Sequence, residues 1–275
     1  MIHSLTSRLK QYDPHEARSI IRLLLQEVFG MTLTDICAGS LNSLSDGDKA
    51  LLERLVLRLE HGEPVQYVIG HTYFCDMKFH VRKGCLIPRP ETEELCHWIT
   101  DTCNDKCDIL DIGTGSGCIA VTLSKLMDGS HVTAWDISPE ALSIASDNAH
   151  ENQADVVFEQ QDALSPPADI AKWDIIVSNP PYICRKEATE MEANVLDYEP
   201  DNALFVPDDN PLLFYNNIIK YATNALKPQG KLFFEINPLY IKELTDAFHS
   251  YHFRTVTTKN DFEGKTRMVC GEDFT

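Results

Sequence analysis

Asn179-Pro180-Pro181-Tyr182 stands directly after the apolar run Trp173-Asp174-Ile175-Ile176-Val177, and that juxtaposition suits one specific problem in nitrogen chemistry. An amide or aniline-type nitrogen is a poor nucleophile because its lone pair is delocalised into the adjoining π system. The side-chain oxygen of Asn179 and the backbone carbonyl of Pro180 can each accept one N–H. The nitrogen is then held with its lone pair turned toward an electrophile at near-attack distance, ~3–3.5 Å. Pro180 and Pro181 stiffen the carbonyl array, and Tyr182 can lie against a planar acceptor and exclude water. No general base has to act before attack, because the proton becomes acidic once the nitrogen gains its new group and a positive charge. Asn-Pro-Pro is also a common turn sequence, so the motif needs a second signal.

That signal is Asp111-Ile112-Gly113-Thr114-Gly115-Ser116-Gly117, placed where a strand ends and a helix begins. Glycines there let the backbone pass close to a ligand. The spacing is GxGxG, not the GxGxxG of a dinucleotide site, and the compact turn resembles motif I of class I methyltransferases, which cradles the methionine part of S-adenosylmethionine. Gly113, Thr114, Gly115, Ser116 and Gly117 are the expected cofactor loop. Asp136 ends the next strand about 20 residues on, where a carboxylate can accept both ribose hydroxyls. Asp162 follows the third strand and is positioned to accept from the adenine amine, with Ala163 beside the ring. Asn179 counts with the cofactor residues as well as with Pro180, Pro181 and Tyr182 as the catalytic set.

These residues need a scaffold that brings several strand ends together. The runs 108–112, 131–136, 155–158, 173–177 and 231–236 read as strands. Helical patterns alternate with them, over 118–126, from Ser138-Pro139 onward, and near 212–226 and 239–248. Such βαβ alternation implies a doubly wound, mainly parallel sheet with ligands at the carboxyl ends of its strands. Upstream, Asp13 can cap a helix carrying Ala17, Ile20, Ile21, Leu24, Leu25 and Val28 on one face, stopped by Gly30. Ser45 begins a second, with Leu51, Leu52, Leu55 and Leu59 as its stripe and Gly62 at its stop. Residues 73–81 read as a short hairpin between two domains.

At 275 residues the chain has room for a large domain and a small one. No apolar run approaches the ~20 residues that span a bilayer, and Met1 to Lys10 has no signal-peptide pattern, so a cytoplasmic protein is expected. Nine cysteines without a paired CxxC spacing read as reduced thiols, Cys118 and Cys184 as core or site-wall residues, and no metal is expected at Cys96, His97, Cys103 and Cys107. The formal net charge is −18. Residues 1–89 carry 11 Lys and Arg against 10 Asp and Glu, and the remainder carries 13 against 32. So acidic a surface repels phosphate backbones and suits a cationic small molecule or a basic protein.

The chain is similar to the HemK/PrmC family, the glutamine-N5 methyltransferases of peptide-chain release factors, over almost its whole length. Besides the motifs above, Pro64-Val65-Gln66-Tyr67-Val68-Ile69-Gly70 resembles that family's linker signature, and Leu86-Ile87-Pro88-Arg89-Pro90-Glu91-Thr92-Glu93 its pre-motif segment. Tyr198-Glu199-Pro200 with Ala203-Leu204 resembles the segment after NPPY. The resemblance implies a Rossmann-like, class I methyltransferase domain (86–275) whose seven-stranded sheet ends on an antiparallel strand. It also implies a helical docking domain (1–72), a hairpin linker (73–85), S-adenosylmethionine as cofactor, and the Gln of a release factor's Gly-Gly-Gln loop as acceptor. A monomer that binds no nucleic acid stably and no membrane is expected. The alternative acceptor is an adenine amine in DNA or RNA, which poses the same lone-pair problem. Asn237, where the resemblance implies Gly, and Thr266, where it implies Asp, lie away from the motifs assigned to chemistry; Asn237 reads as an exposed turn residue.

Overall fold

In the computed structural model, which describes residues 2–104 and 106–274, the first helices form where side-chain caps satisfy free backbone groups. After α1 (Ile2–Thr6), Asp13 accepts from the N–H groups of His15 and Glu16 at the head of α2 (Pro14–Phe29), and Gly30 closes that helix at φ 64°. A capping box of Thr32 and Asp35 starts α3 (Leu33–Ala38), an element the sequence pattern did not reveal. Ser45 caps α4 (Asp46–Glu60), and α5 (Val65–Ile69) follows Pro64. Arg58 holds this last turn by donating to the carbonyls of Tyr67 and Val68. The stripes meet in one core, with Ile21, Leu24, Leu25, Val56 and Leu59 fully buried and Val28 and Leu51 at its rim.

The chain continues through the hairpin β1 (His71–Phe74) and β2 (Met77–His80), then α6 (Pro90–Thr102), β3 (Asp108–Ile112), α7 (Cys118–Leu126), β4 (His131–Asp136), α8 (Pro139–Glu151) and β5 (Val156–Gln160). It returns as β6 (Trp173–Ser178) and β7 (Ile183–Cys184), then α9 (Ala193–Tyr198), α10 (Asp201–Leu204) and β8 (Phe205–Val206). The last elements are α11 (Leu213–Ala225), β9 (Leu226–Glu235), α12 (Ile241–Ser250), β10 (Phe253–Asn260) and β11 (Thr266–Phe274). Seven strands form one sheet in the order β10-β11-β9-β6-β3-β4-β5. Only β11 runs against its neighbours.

Both faces of this sheet are covered, which is why its central strands are near-continuous apolar runs. Alternation sorts their side chains. Ile109, Ile175, Val177 and Phe233 pack with Leu95 and Ile99 of α6 and Val121 of α7. Leu110, Ile176, Leu232 and Phe234 pack with Ile218 and Ile219 of α11 and Phe248 of α12. The chain winds outward from β3 to β4 and β5, then crosses back to β6 and β9. The carboxyl ends of β3 and β6 therefore flank the switch point where α/β sheets place ligands.

Two features differ from the expected layout. The chain divides into two units, the smaller running to His71 and including Met191–Tyr198, a segment within the range 86–275 expected for the catalytic domain. Within that unit the Tyr198 hydroxyl donates to the His61 carbonyl at 2.9 Å. The expected linker is also core: Phe74 and Phe79 meet edge to face at 5.9 Å and are buried in the larger unit with Leu95, Cys96 and Ile99. Two aromatic side chains so close on either side of the Cys75-Asp76 turn gain too much by burial to leave the hairpin as a spacer. Among the described residues no helix is long and apolar enough to cross a membrane. Nor are three His, Cys, Asp or Glu residues grouped to hold a metal ion; Cys96 is buried and the Cys107 thiol donates to the Asn104 carbonyl.

Candidate active site

The glycine loop is fixed by β4 as much as by β3. The N–H groups of Gly113 and Thr114 both donate to the Trp135 carbonyl, at 2.8 and 2.9 Å, so the chain turns at the end of the β3–β4 ladder. Gly115, at φ 56°, donates its N–H to Asp136 Oδ2 at 2.9 Å. A side chain added at Gly113 or Gly115 meets no protein atom within 4 Å; both residues border open space. Gly117 serves packing instead, since at φ 82° a Cβ there would lie 3.0 Å from that of Ala145 on α8. Thr114 and Ser116 are buried, and the Thr114 hydroxyl donates to Asp111 Oδ2 at 2.6 Å.

Asp111 lies beneath the loop, fully buried, and its other oxygen makes no hydrogen bond among the described residues. Burial pushes its carboxyl up to about 7, against the opposing pull of the Thr114 hydroxyl. Asp136 is likewise raised by burial, and its two oxygens accept from the N–H groups of Ser138 and Gly115. Asn148, in the middle of α8, had no part in the sequence reading. It accepts from His80 N at 2.6 Å and donates to the carbonyls of His80 and Ser116 at 3.0 and 2.8 Å, tying the hairpin to the loop.

These elements open on a cavity of about 290 Å³. Of the residues expected from the sequence, Gly113, Gly115, Asp136, Asp162, Ala163, Asn179, Pro180 and Pro181 line it. Thr114, Ser116 and Gly117 instead build the loop behind it. Ile137, Leu164, Phe214 and Ile218 supply apolar wall. Asp162 accepts from the N–H of Leu164 at 2.8 Å. The wall at Leu86 and Pro200 is held by Glu199, whose nearly inaccessible side chain accepts from Ile87 N at 3.1 Å and Arg89 Nη2 at 2.5 Å.

At the end of β6 the Ser178 hydroxyl donates to the Ile112 carbonyl at 2.6 Å, joining the two strands at the switch point. Asn179 Nδ2 donates to Thr92 Oγ1 at 3.3 Å, and Thr92 in turn to Glu235 Oε2 at 2.6 Å. The Tyr182 hydroxyl donates to Glu235 Oε1 at 3.0 Å, so this ring is anchored by its polar end to the end of β9. Burial drives the Tyr182 phenol far above its ordinary range and raises Glu235, while Thr92, Tyr182 and Arg267 pull Glu235 back.

Asn237 corrects the sequence reading. It is 7% exposed, not a solvated turn residue, and its Nδ2 donates to the Tyr182 carbonyl and to Glu187, each at 3.1 Å. The position therefore touches the NPPY segment. Thr266 bonds Asn260 at 3.0 Å where β10 gives way to β11.

Residues 1–70 match the PrmC N-terminal domain family and residues 92–197 the Methyltransferase small domain family. Over 259 residues the chain is 44% identical to the release factor glutamine methyltransferase of Bacteroides thetaiotaomicron, covering 94% of this chain and 93% of that protein. The Flavobacterium psychrophilum enzyme of the same name is 39% identical over 263 residues, covering 94% and 92%. A solved methyltransferase from Pyrococcus furiosus shares the fold at 15% identity, with a TM-score of 0.54 over 73% of this chain and 91% of that one. With both domains matched and the likeness to its relatives running nearly end to end, the chain belongs to the release factor glutamine methyltransferase family.

Proposed function

We propose that this protein transfers the methyl group of S-adenosylmethionine to the side-chain amide nitrogen of the Gln in the Gly-Gly-Gln loop of peptide-chain release factors. The observation that carries the reading is Asn179 at the end of β6, in the wall of the same cavity as Gly113, Gly115 and Asp136. The cofactor's chemistry suits the donor set. The space beyond Gly113 and Gly115 is open, so the loop backbone can pass close to a ligand, and the Asp136 carboxylate borders the same cavity. When bound, S-adenosylmethionine supplies an electrophilic methyl on a positively charged sulfur that leaves as a neutral thioether.

The chain's own groups do the rest. Asp136 retains lone pairs for the ribose hydroxyls after accepting from Gly115 and Ser138, Asp162 takes the adenine amine, and Ile137, Ala163 and Leu164 flank its ring. Asn179 Oδ1 and the Pro180 carbonyl accept the two N–H groups of the acceptor amide and hold its lone pair out of conjugation. Glu235 is engaged by Thr92 and Tyr182, so the proton made acidic by methylation leaves to water. Asp136→Ala should weaken cofactor binding by ~1–3 kcal/mol, because charge-assisted bonds in a half-closed site are lost. Unchanged affinity by calorimetry would remove Asp136 from the site.

The helical unit is proposed as the docking element for the rest of the release factor, and translation termination places the reaction in the cytoplasm. Binding energy from such remote contacts raises catalytic efficiency on the whole protein. An intact release factor should thus show a kcat/KM at least ~10-fold above that of a short Gly-Gly-Gln peptide. Equal values would show that recognition ends at the loop.

A further inference from the structure

We propose that Thr92 and Glu235 are positioning residues that fix which end of the Asn179 side-chain amide faces the acceptor, an inference that rests on the role given to Asn179 above. The two ends of an Asn amide are nearly the same shape but opposite in hydrogen-bonding sense. The acceptor offers N–H groups. An Asn179 turned the wrong way would set donors against donors, and nothing in its shape forbids that turn.

The bonding partners forbid it instead. Thr92 is 2% exposed and gives its only hydroxyl proton to Glu235 Oε2 at 2.6 Å. Its oxygen then has only lone pairs to offer, and Asn179 meets them with Nδ2 at 3.3 Å. The other carboxylate oxygen takes the Tyr182 proton at 3.0 Å. With Glu235 ionised, every donor in the chain points toward it, from Asn179 through Thr92 on one side and from Tyr182 on the other. Asn179 is left with Oδ1 free for the cavity it lines.

Protonating Glu235 would remove this polarity, because the acid would then donate, and Thr92 could donate to Asn179 in turn. The charges that face Glu235 are Arg267 from β11, which favours the ionised form, and Glu91 from α6, which opposes it; Tyr182 and Tyr215 lie against it as neutral phenols. The Tyr215 hydroxyl is committed to the Glu235 backbone carbonyl at 3.0 Å. Burial raises Glu235 above the ordinary carboxylate range, so the loss should come at a higher pH than for a surface glutamate.

The test uses the full-length enzyme with Thr92→Val, Thr92→Ser and Glu235→Gln, measuring cofactor affinity by calorimetry and kcat at saturating cofactor. Thr92→Val keeps the shape and loses the acceptor. It should lower kcat about 10-fold or more while cofactor affinity stays within about threefold, and Thr92→Ser should restore most of the rate. Wild-type kcat should fall on the acid side as Glu235 takes up its proton, and because Glu235→Gln cannot titrate, that fall should be absent from the variant. A Thr92→Val enzyme as fast as wild type, a Thr92→Ser enzyme as slow as Thr92→Val, or an unchanged acid limb in Glu235→Gln would overturn the proposal. Should the wild type methylate adenine and not glutamine, the acceptor assignment fails on its own account. The same variants are then compared on adenine, whose amine needs the same polarity.

Discussion

Replacing Asn179 with Ala is expected to lower turnover by about 10²-fold or more, with cofactor affinity held within about threefold of wild type. The asymmetry follows from where the residue stands. The ribose and loop contacts proposed for the cofactor lie on Asp136 and the glycine turn, at the ends of β3 and β4, whereas Asn179 follows β6. Its amide oxygen acts on the acceptor only when the lone pair must be freed, so the interaction belongs to the transition state. Folding should be unaffected, because Thr92 keeps its bond to Glu235 when Nδ2 is removed. Single-turnover kinetics beside a thermal melt would check this. A variant that folds, binds cofactor and turns over near the wild-type rate would end the lone-pair account.

Asp111→Asn is expected to stabilise the ligand-free protein above neutral pH by on the order of 4 kcal/mol, with the gain shrinking toward acid. Below the ordinary aspartate range both folded and unfolded states carry the proton, and the group contributes nothing to pH dependence. As pH rises the unfolded chain ionises first, while burial holds the folded group protonated up to about 7. The unfolded state then binds fewer protons, so stability falls across that window and levels off above it. Asn cannot ionise, and its oxygen can still accept from the Thr114 hydroxyl that now bonds Asp111. Urea midpoints for the two proteins across this range should diverge from about pH 4 to about pH 7. A gap that stays constant from about pH 4 to about pH 7 would mean that Asp111 ionises in the folded state as readily as in the unfolded chain.

Much of the scaffold was legible because its signals are local. Asp13 and Ser45 cap helices through atoms two or three residues away, and the central strands are apolar runs because both sheet faces are covered. The last two strands, Phe253–Asn260 and Thr266–Phe274, were harder: the first has one buried residue, Phe253, the second buries only Met268 to Gly271, and only the family resemblance implied a seven-stranded sheet. The glycine turn and the NPPY segment were readable as strand-end motifs, and the residues that orient them were not. Thr92 and Glu235 are 143 residues apart and meet only because α6 and the end of β9 pack together. Asn148 sits mid-helix with nothing in its spacing to mark it. Met191–Tyr198 is too short for periodicity to say which core it joins. An acid directly after the apolar run Leu232-Phe233-Phe234, as Glu235 is at the end of β9, was the one available sign.

Which atom receives the methyl group separates the glutamine acceptor from the adenine one. The wild-type enzyme with isotopically labelled S-adenosylmethionine should be given an intact release factor, the same factor with Gln→Ala in its Gly-Gly-Gln loop, and adenine-containing DNA and RNA, each separately. The label should then be located by fragment mass spectrometry. A single methyl group is expected on the loop glutamine of the intact factor, none on the Gln→Ala factor, and none on nucleic acid. Label on adenine with none on the release factor would contradict the glutamine acceptor.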